Sequence, residues 1–242
     1  MKIIEKIKNR NADAHNNPIP TIVAFGSSST EGCFEISLDN DGKILTVRDK
    51  KHAYHRYLTD MIDDMYPQCS VTLVNAGIAG DTTVDGLGRL ERDVLSKNPD
   101  LVIMSLGGND CGTRGLDALE EYGENLRTML TRILNTGAEI LFWTPYCMCR
   151  KVSPEIKEPF LREVAADVAN KNNTGIYDAF ADKSREVCRE LSVKVCDLRE
   201  KWLQMERAGV DTDALLSNHI NHAPREYQAV IARYLFEAML ED

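Results

Sequence analysis

The chain has 242 residues, 38 acidic against 29 basic, and a formal net charge of −9; it is 43% hydrophobic and 28% charged. That composition excludes disorder and low-complexity scaffolds, and its acidity argues against nucleic acid as a partner, since phosphate recognition wants clustered Lys and Arg. One α/β domain over 1–242 is expected, with a core that needs no staples. No stretch approaches the ~20 apolar residues of a membrane span, and Met1–Arg10 lacks the apolar centre of a signal peptide. Seven scattered cysteines, an odd number, point to free thiols in a reducing, cytoplasmic setting.

In chain order, short apolar runs alternate with amphipathic segments. Thr21–Phe25, Val71–Val74, Leu101–Met104 and Glu139–Trp143 read as strands buried on both faces, the pattern of a parallel sheet. Between them, His55–Tyr66, Val84–Leu95 and Leu116–Leu134 carry apolar residues at helical spacing. Cys33–Lys51 has neither pattern and is expected to be a hairpin or loop over the site. Further on, helices are predicted over Glu155–Asn170 and Ala181–Leu191, with a weak strand at Gly175–Tyr177 and a firmer one at Ser192–Cys196. A helix from Pro224 to Leu240 closes the chain, Pro224 suiting a first helical position. Alternating strands and helices imply right-handed crossovers and a parallel sheet covered on both faces.

Ligands of such sheets bind at the carboxyl ends of the strands. Three successive strand ends carry small and polar residues: Gly26–Gly32, Asn75–Thr83 and Ser105–Asp110. The first lacks the spacing and lysine of a phosphate-binding loop, and Gly77-x-x-Gly80 lacks that of a dinucleotide fold, so no nucleotide cofactor is expected. Cys147-Met148-Cys149 has no second pair to make a zinc site, and the carboxylates around His219 and His222 do not suggest a metal clamp. What remains is a nucleophile: a serine on a tight strand-to-helix turn, with a histidine as base. Of five histidines, His219 and His222 stand in a loop ahead of the last helix, where they can fold back over the strand ends.

These blocks, in this order and over essentially the whole chain, resemble the SGNH (GDSL-type) hydrolase superfamily. Phe25-Gly26-Ser27-Ser28 resembles its first block, with Ser28 in the nucleophile position. Asn75–Gly80 resembles the second and Gly107-Gly108-Asn109-Asp110 the third, which assigns oxyanion donors to Gly80 and Asn109. His222 takes the place of the base in the last block. The resemblance implies a three-layer α/β/α fold with about five parallel strands, of flavodoxin-like order. It implies a serine esterase acting on small acyl esters, acetyl groups on a carbohydrate among them. Acyl transfer from the same site and a non-catalytic carbohydrate-binding relative are the alternatives. The chain departs from the pattern where Ser27 replaces an Asp, Ala223 replaces a Pro, and His219 holds the place of the Asp three residues before the base. The acceptor that orients His222 is therefore sought among Asp213, Asp211, Asn218 and a backbone carbonyl, or is missing. Each residue also has a duller explanation: turn chemistry for Ser28, a positive φ for Gly80, helix capping for Asn109. Their joint order favours the site.

Overall fold

The computed structural model describes residues 1–241. Five strands form one parallel sheet: β1 (Thr21–Gly26), β4 (Thr72–Gly77), β5 (Leu101–Ser105), β6 (Glu139–Trp143) and β7 (Lys194–Cys196), in the order β4-β1-β5-β6-β7. Counting only these five, the order is 2-1-3-4-5, so the direction in which successive strands are added reverses between β1 and β5, and a crevice opens beyond their carboxyl ends. The central strands are apolar because both faces are covered: Ile22–Phe25 of β1 and Leu101–Met104 of β5 are fully buried. β4 departs from the expectation of burial on both faces. It lies at the sheet's edge, where Thr72 is exposed and Leu73 and Val74 only half-buried.

Two groups of helices flank the sheet. α1 (Lys2–Ala12), α3 (Tyr54–Met65) and α10 (Arg225–Leu240) pack together, as do α4 (Thr83–Asp93), α6 (Leu119–Leu134) and α8 (Ile176–Glu190), with α7 (Pro159–Asn173) against α8. Two short helices, α2 (Ser28–Glu31) and α5 (Gly108–Arg114), follow β1 and β5 directly. The helix expected from Glu155 starts at Pro159, and the one expected from Leu116 starts at Leu119 after a 3-10 turn. Pro224 caps α10 instead of opening it. Gly175–Tyr177 is not a strand: Gly175, at φ 79°, caps α8, and Ile176 and Tyr177 are its first turn. α9 (Leu198–Arg207) completes the helices.

Cys33–Lys51 contains an antiparallel hairpin of β2 (Cys33–Leu38) and β3 (Ile44–Arg48), a separate two-stranded sheet. Its pairing slips between Cys33↔Arg48 and Ile36↔Thr46, so that Phe34 and Glu35 together face Val47. Two residues against one make a β-bulge, which bends the strand and re-aims its backbone groups. No helix among the described residues is long and apolar enough to cross a membrane.

Candidate active site

The site begins where β1 runs into α2. Ser28 is the first residue of α2, and the N–H groups of a helix's first turn have no partner within the helix. The turn sits directly on the neighbouring strand end. A Cβ built on Gly77 would lie 2.2 Å from the Glu31 nitrogen, so only glycine lets β4 approach the backbone of α2 this closely. Two buried side chains hold α2 from behind. The Tyr54 hydroxyl is 3.3 Å from the Thr30 hydroxyl, and His55 Nε2 donates to the Thr30 carbonyl at 3.1 Å. Because a carbonyl only accepts, that bond places the His55 proton on Nε2. Burial pushes the His55 pKa down to about 4, against the opposing pull of the Thr30 carbonyl.

The loop after β4 is fixed on both sides. Glu31 accepts the Ala79 N–H at 2.7 Å. The buried Arg89 guanidinium spans Asp81 Oδ2, the Ala76 carbonyl and the Gly26 carbonyl at 2.5, 2.7 and 2.9 Å, tying this loop to the end of β1. Gly80, at φ 87°, makes the turn that brings Asp81 round. The Asp81 carbonyl then accepts from Asn109 Nδ2 at 2.8 Å, leaving the second N–H of that amide for a ligand. Asp110 points the other way. It is buried, accepts from the backbone N–H and hydroxyl of Thr83, and ties α5 to the start of α4; burial holds its pKa above the usual carboxylate range.

His222 arrives from the loop ahead of α10. Asn218 Oδ1 accepts the backbone N–H groups of Ile220, Asn221 and His222 at 2.9–3.0 Å, and Ser217 donates its N–H and hydroxyl to the His222 carbonyl. The ring then lies between two partners. Nδ1 is 2.8 Å from the Phe34 carbonyl and Nε2 is 2.9 Å from Ser28 Oγ. The carbonyl requires the Nδ1 proton, so neutral His222 turns an unprotonated Nε2 toward the serine hydroxyl. Burial lowers the His222 pKa below the ordinary histidine range, while the Phe34 carbonyl and the Glu35 charge oppose this in part. The ring is thus an acceptor at neutral pH.

Of the acceptors weighed from the sequence, the backbone carbonyl is the one at Nδ1. Asp213 accepts the Arg150 N–H at 2.7 Å, Asp211 accepts the Ala214 N–H, and Asn218 is engaged by the loop backbone. His219, at φ 59°, bonds through its N–H to Leu216 and lines a separate groove beside Glu35 and Glu155. Sequence reading could not single out Phe34, because every residue has a carbonyl; the available signal was the unpatterned stretch beginning at Cys33.

Ser28 and Asn109 share a narrow, open-mouthed cleft with Leu106, Trp143, Pro145, Tyr146, Met148 and Asn221 among its walls. Gly80 and His222 are not among the cleft's lining residues; His222 reaches it through its bond to Ser28. The seven cysteines are free and buried, and burial pushes the Cys147 thiol beside the cleft up to about 12, leaving it a poor nucleophile. Among the described residues no group of three His, Cys, Asp or Glu side chains could hold a metal ion.

This geometry can be set beside known proteins. Over 71 residues the chain is 41% identical to an arylesterase of Vibrio mimicus, and over 103 residues 30% identical to an acetylxylan esterase of Geobacillus stearothermophilus. These stretches cover 29% and 39% of this chain and 34% and 47% of the relatives, so the chain spans less than half the length of either in these matches. The fold extends further. The crystal structure of the acetyl xylan esterase AlAXEase superposes with a TM-score of 0.66 at 20% identity, over 91% of this chain and 100% of that one. That of the lipase/acylhydrolase from Enterococcus faecalis superposes at 0.64 with 22% identity, over 90% and 95%. Residues 24–223, from β1 to the residue after His222, match the GDSL-like lipase/acylhydrolase family, and the chain belongs to that family.

Proposed function

We propose that this protein is a serine carboxylic ester hydrolase that removes short acyl groups, acetyl foremost, from an alcohol such as a sugar hydroxyl. The observation that carries the reading is the Ser28 Oγ–His222 Nε2 contact of 2.9 Å, with the opposite ring nitrogen anchored on the Phe34 carbonyl. His222 takes the Ser28 proton as Oγ attacks the ester carbonyl. The N–H of Ser28 and the free N–H of Asn109, both in the cleft wall, stabilise the oxyanion, and the family resemblance adds the N–H of Gly80, which stands outside that wall. The imidazolium then protonates the departing alcohol, and water, activated by the same nitrogen, releases the acid.

The cleft supports the choice of a short acyl group. Its apolar side includes Trp143 and Tyr146, both buried. Trp143 packs edge-on against Tyr54 at 5.5 Å between ring centroids, and Tyr146 against Trp202 at 5.3 Å, so neither ring can swing aside cheaply. Two similar proteins, one by sequence and one by structure, are named as acetylxylan esterases, which supports acetyl and a sugar alcohol. The test is the hydrolysis of aryl esters of increasing acyl length, from two to eight carbons, by wild type and Ser28→Ala. The reading expects kcat/KM to be greatest for acetate, to fall at least tenfold by octanoate, and to drop about a thousandfold or more in Ser28→Ala. Turnover that survives Ser28→Ala, or climbs with chain length, would refute it.

A further inference from the structure

The Phe34 carbonyl orients His222 but carries no formal charge to offset the imidazolium that forms when Ser28 gives up its proton. The surroundings of that carbonyl contain charge. Phe34 and Glu35 are the two residues of the β2 bulge. Arg225, three residues after His222, grips the Glu35 carboxylate with two nitrogens at 2.5 and 3.0 Å. Its Nε donates to Asp49 Oδ2 at 2.9 Å, just beyond β3, and its guanidinium carbon lies 4.3 Å from the centre of the Phe34 ring. One side chain therefore joins both bulge residues, the far strand of the hairpin and the loop that carries the base. Two carboxylates about one guanidinium leave a net charge of one negative unit.

We propose that Arg225, Glu35 and Asp49 are positioning residues for the Ser28–His222 pair: Arg225 locks the bulge so that the Phe34 carbonyl stays on Nδ1, and the surplus negative charge of the cluster favours the protonated imidazole. The inference rests on the hydrolase reading above. It assigns to the ion cluster the electrostatic part of the role of the acid absent at His219. Of the other groups near the bulge, Lys50 acts on the neighbouring Cys33 and offsets part of this charge. Glu31 and Arg48 pair with each other at the hairpin base, and His52 bonds to Asp49. The Cys33 thiol is neutral, its pKa raised by burial to about 12, and Cys147 donates its S–H to the Asn221 carbonyl at 2.9 Å. His219 lines a groove together with Glu35 and Glu155.

The test reads the base itself. The His222 ring signal, assigned by its disappearance in His222→Gln, is followed by NMR against pH in wild type, Glu35→Gln and Asp49→Asn. In parallel, the rate at which a fluorophosphonate modifies Ser28 is measured for these proteins and for Arg225→Lys. Removing either carboxylate lowers the titration midpoint of His222, since less negative charge favours the cation less. At about pH 7.5 labelling slows roughly two- to fivefold, the range expected of a half-exposed ion pair. Arg225→Lys keeps the charge but loses the fork, and labels more slowly than wild type. A merely structural cluster would alter melting without moving the midpoint. Folded Glu35→Gln and Asp49→Asn proteins with the wild-type midpoint would overturn the proposal. If wild type fails to label while the midpoint still moves, the hydrolase reading fails and the electrostatic coupling stands.

Discussion

His55 gives a thermodynamic handle on the turn that carries Ser28. The side chain is 2% exposed, donates from Nε2 to the Thr30 carbonyl, and has a buried Nδ1 without a partner among the described residues. Burial holds its pKa at about 4, whereas an unfolded chain titrates near 6.5. Above about pH 6.5 the ring is neutral in both states and its titration has no effect on stability. As the pH falls below 6.5 the unfolded state takes up a proton that the folded state refuses, so stability is lost progressively until the pH passes 4. At about pH 5 the unequal protonation has grown over one and a half pH units and costs about 2 kcal/mol. Carboxylates elsewhere titrate in the same range, so the comparison must be internal. His55→Gln retains an N–H for Thr30 and cannot titrate. Urea unfolding of wild type and His55→Gln at about pH 7.5 and about pH 5 should show the wild-type advantage shrinking by about 2 kcal/mol on acidification. An advantage unchanged between the two pH values would refute the assignment of a buried neutral imidazole beneath α2.

Two substitutions probe the walls of the site. Asn109→Ala removes an amide that is held on the Asp81 carbonyl and offers its second N–H to the cleft; ester turnover should fall about 10²–10³-fold with KM little changed, measured by steady-state kinetics. Gly77→Ala drives a methyl group into the Thr30–Glu31 backbone, an overpacking cost of about 1–3 kcal/mol or more. Its melting temperature should fall by roughly 2–4 °C for each kcal/mol lost, and Ser28 should label more slowly because the turn beneath it has moved.

Much of the fold is legible in the sequence because the central strands are covered on both faces and therefore read as unbroken apolar runs. Leu101–Met104 and Ile22–Phe25 are of this kind. The weaker elements are those whose burial rests on few residues. α1 buries only Ile3 and Ile7, and α9 buries Leu198, Arg199 and Trp202 within a largely charged segment, so neither shows a wide apolar stripe. Ile176 and Tyr177 are two apolar neighbours, a pattern that a strand and a helix start share; Gly175 at positive φ resolves it only in three dimensions. At the site, Ser28, Asn109 and His222 are readable because side chains carry their chemistry. The Phe34 carbonyl is not, since its position depends on a two-against-one bulge in a hairpin without a clear alternating pattern. Arg225 and Glu35 are hidden for a related reason: 190 residues separate them, and the hairpin brings them together.

The proposed chemistry stands or falls on the activation of Ser28 by His222 and by no other histidine. Fluorophosphonate labelling followed by peptide mass spectrometry, on wild type, His222→Ala and His219→Ala, tests it directly. A single adduct on Ser28 is expected in wild type and in His219→Ala, and its loss in a folded His222→Ala protein. An adduct that persists in His222→Ala, or none on folded wild type, would contradict it.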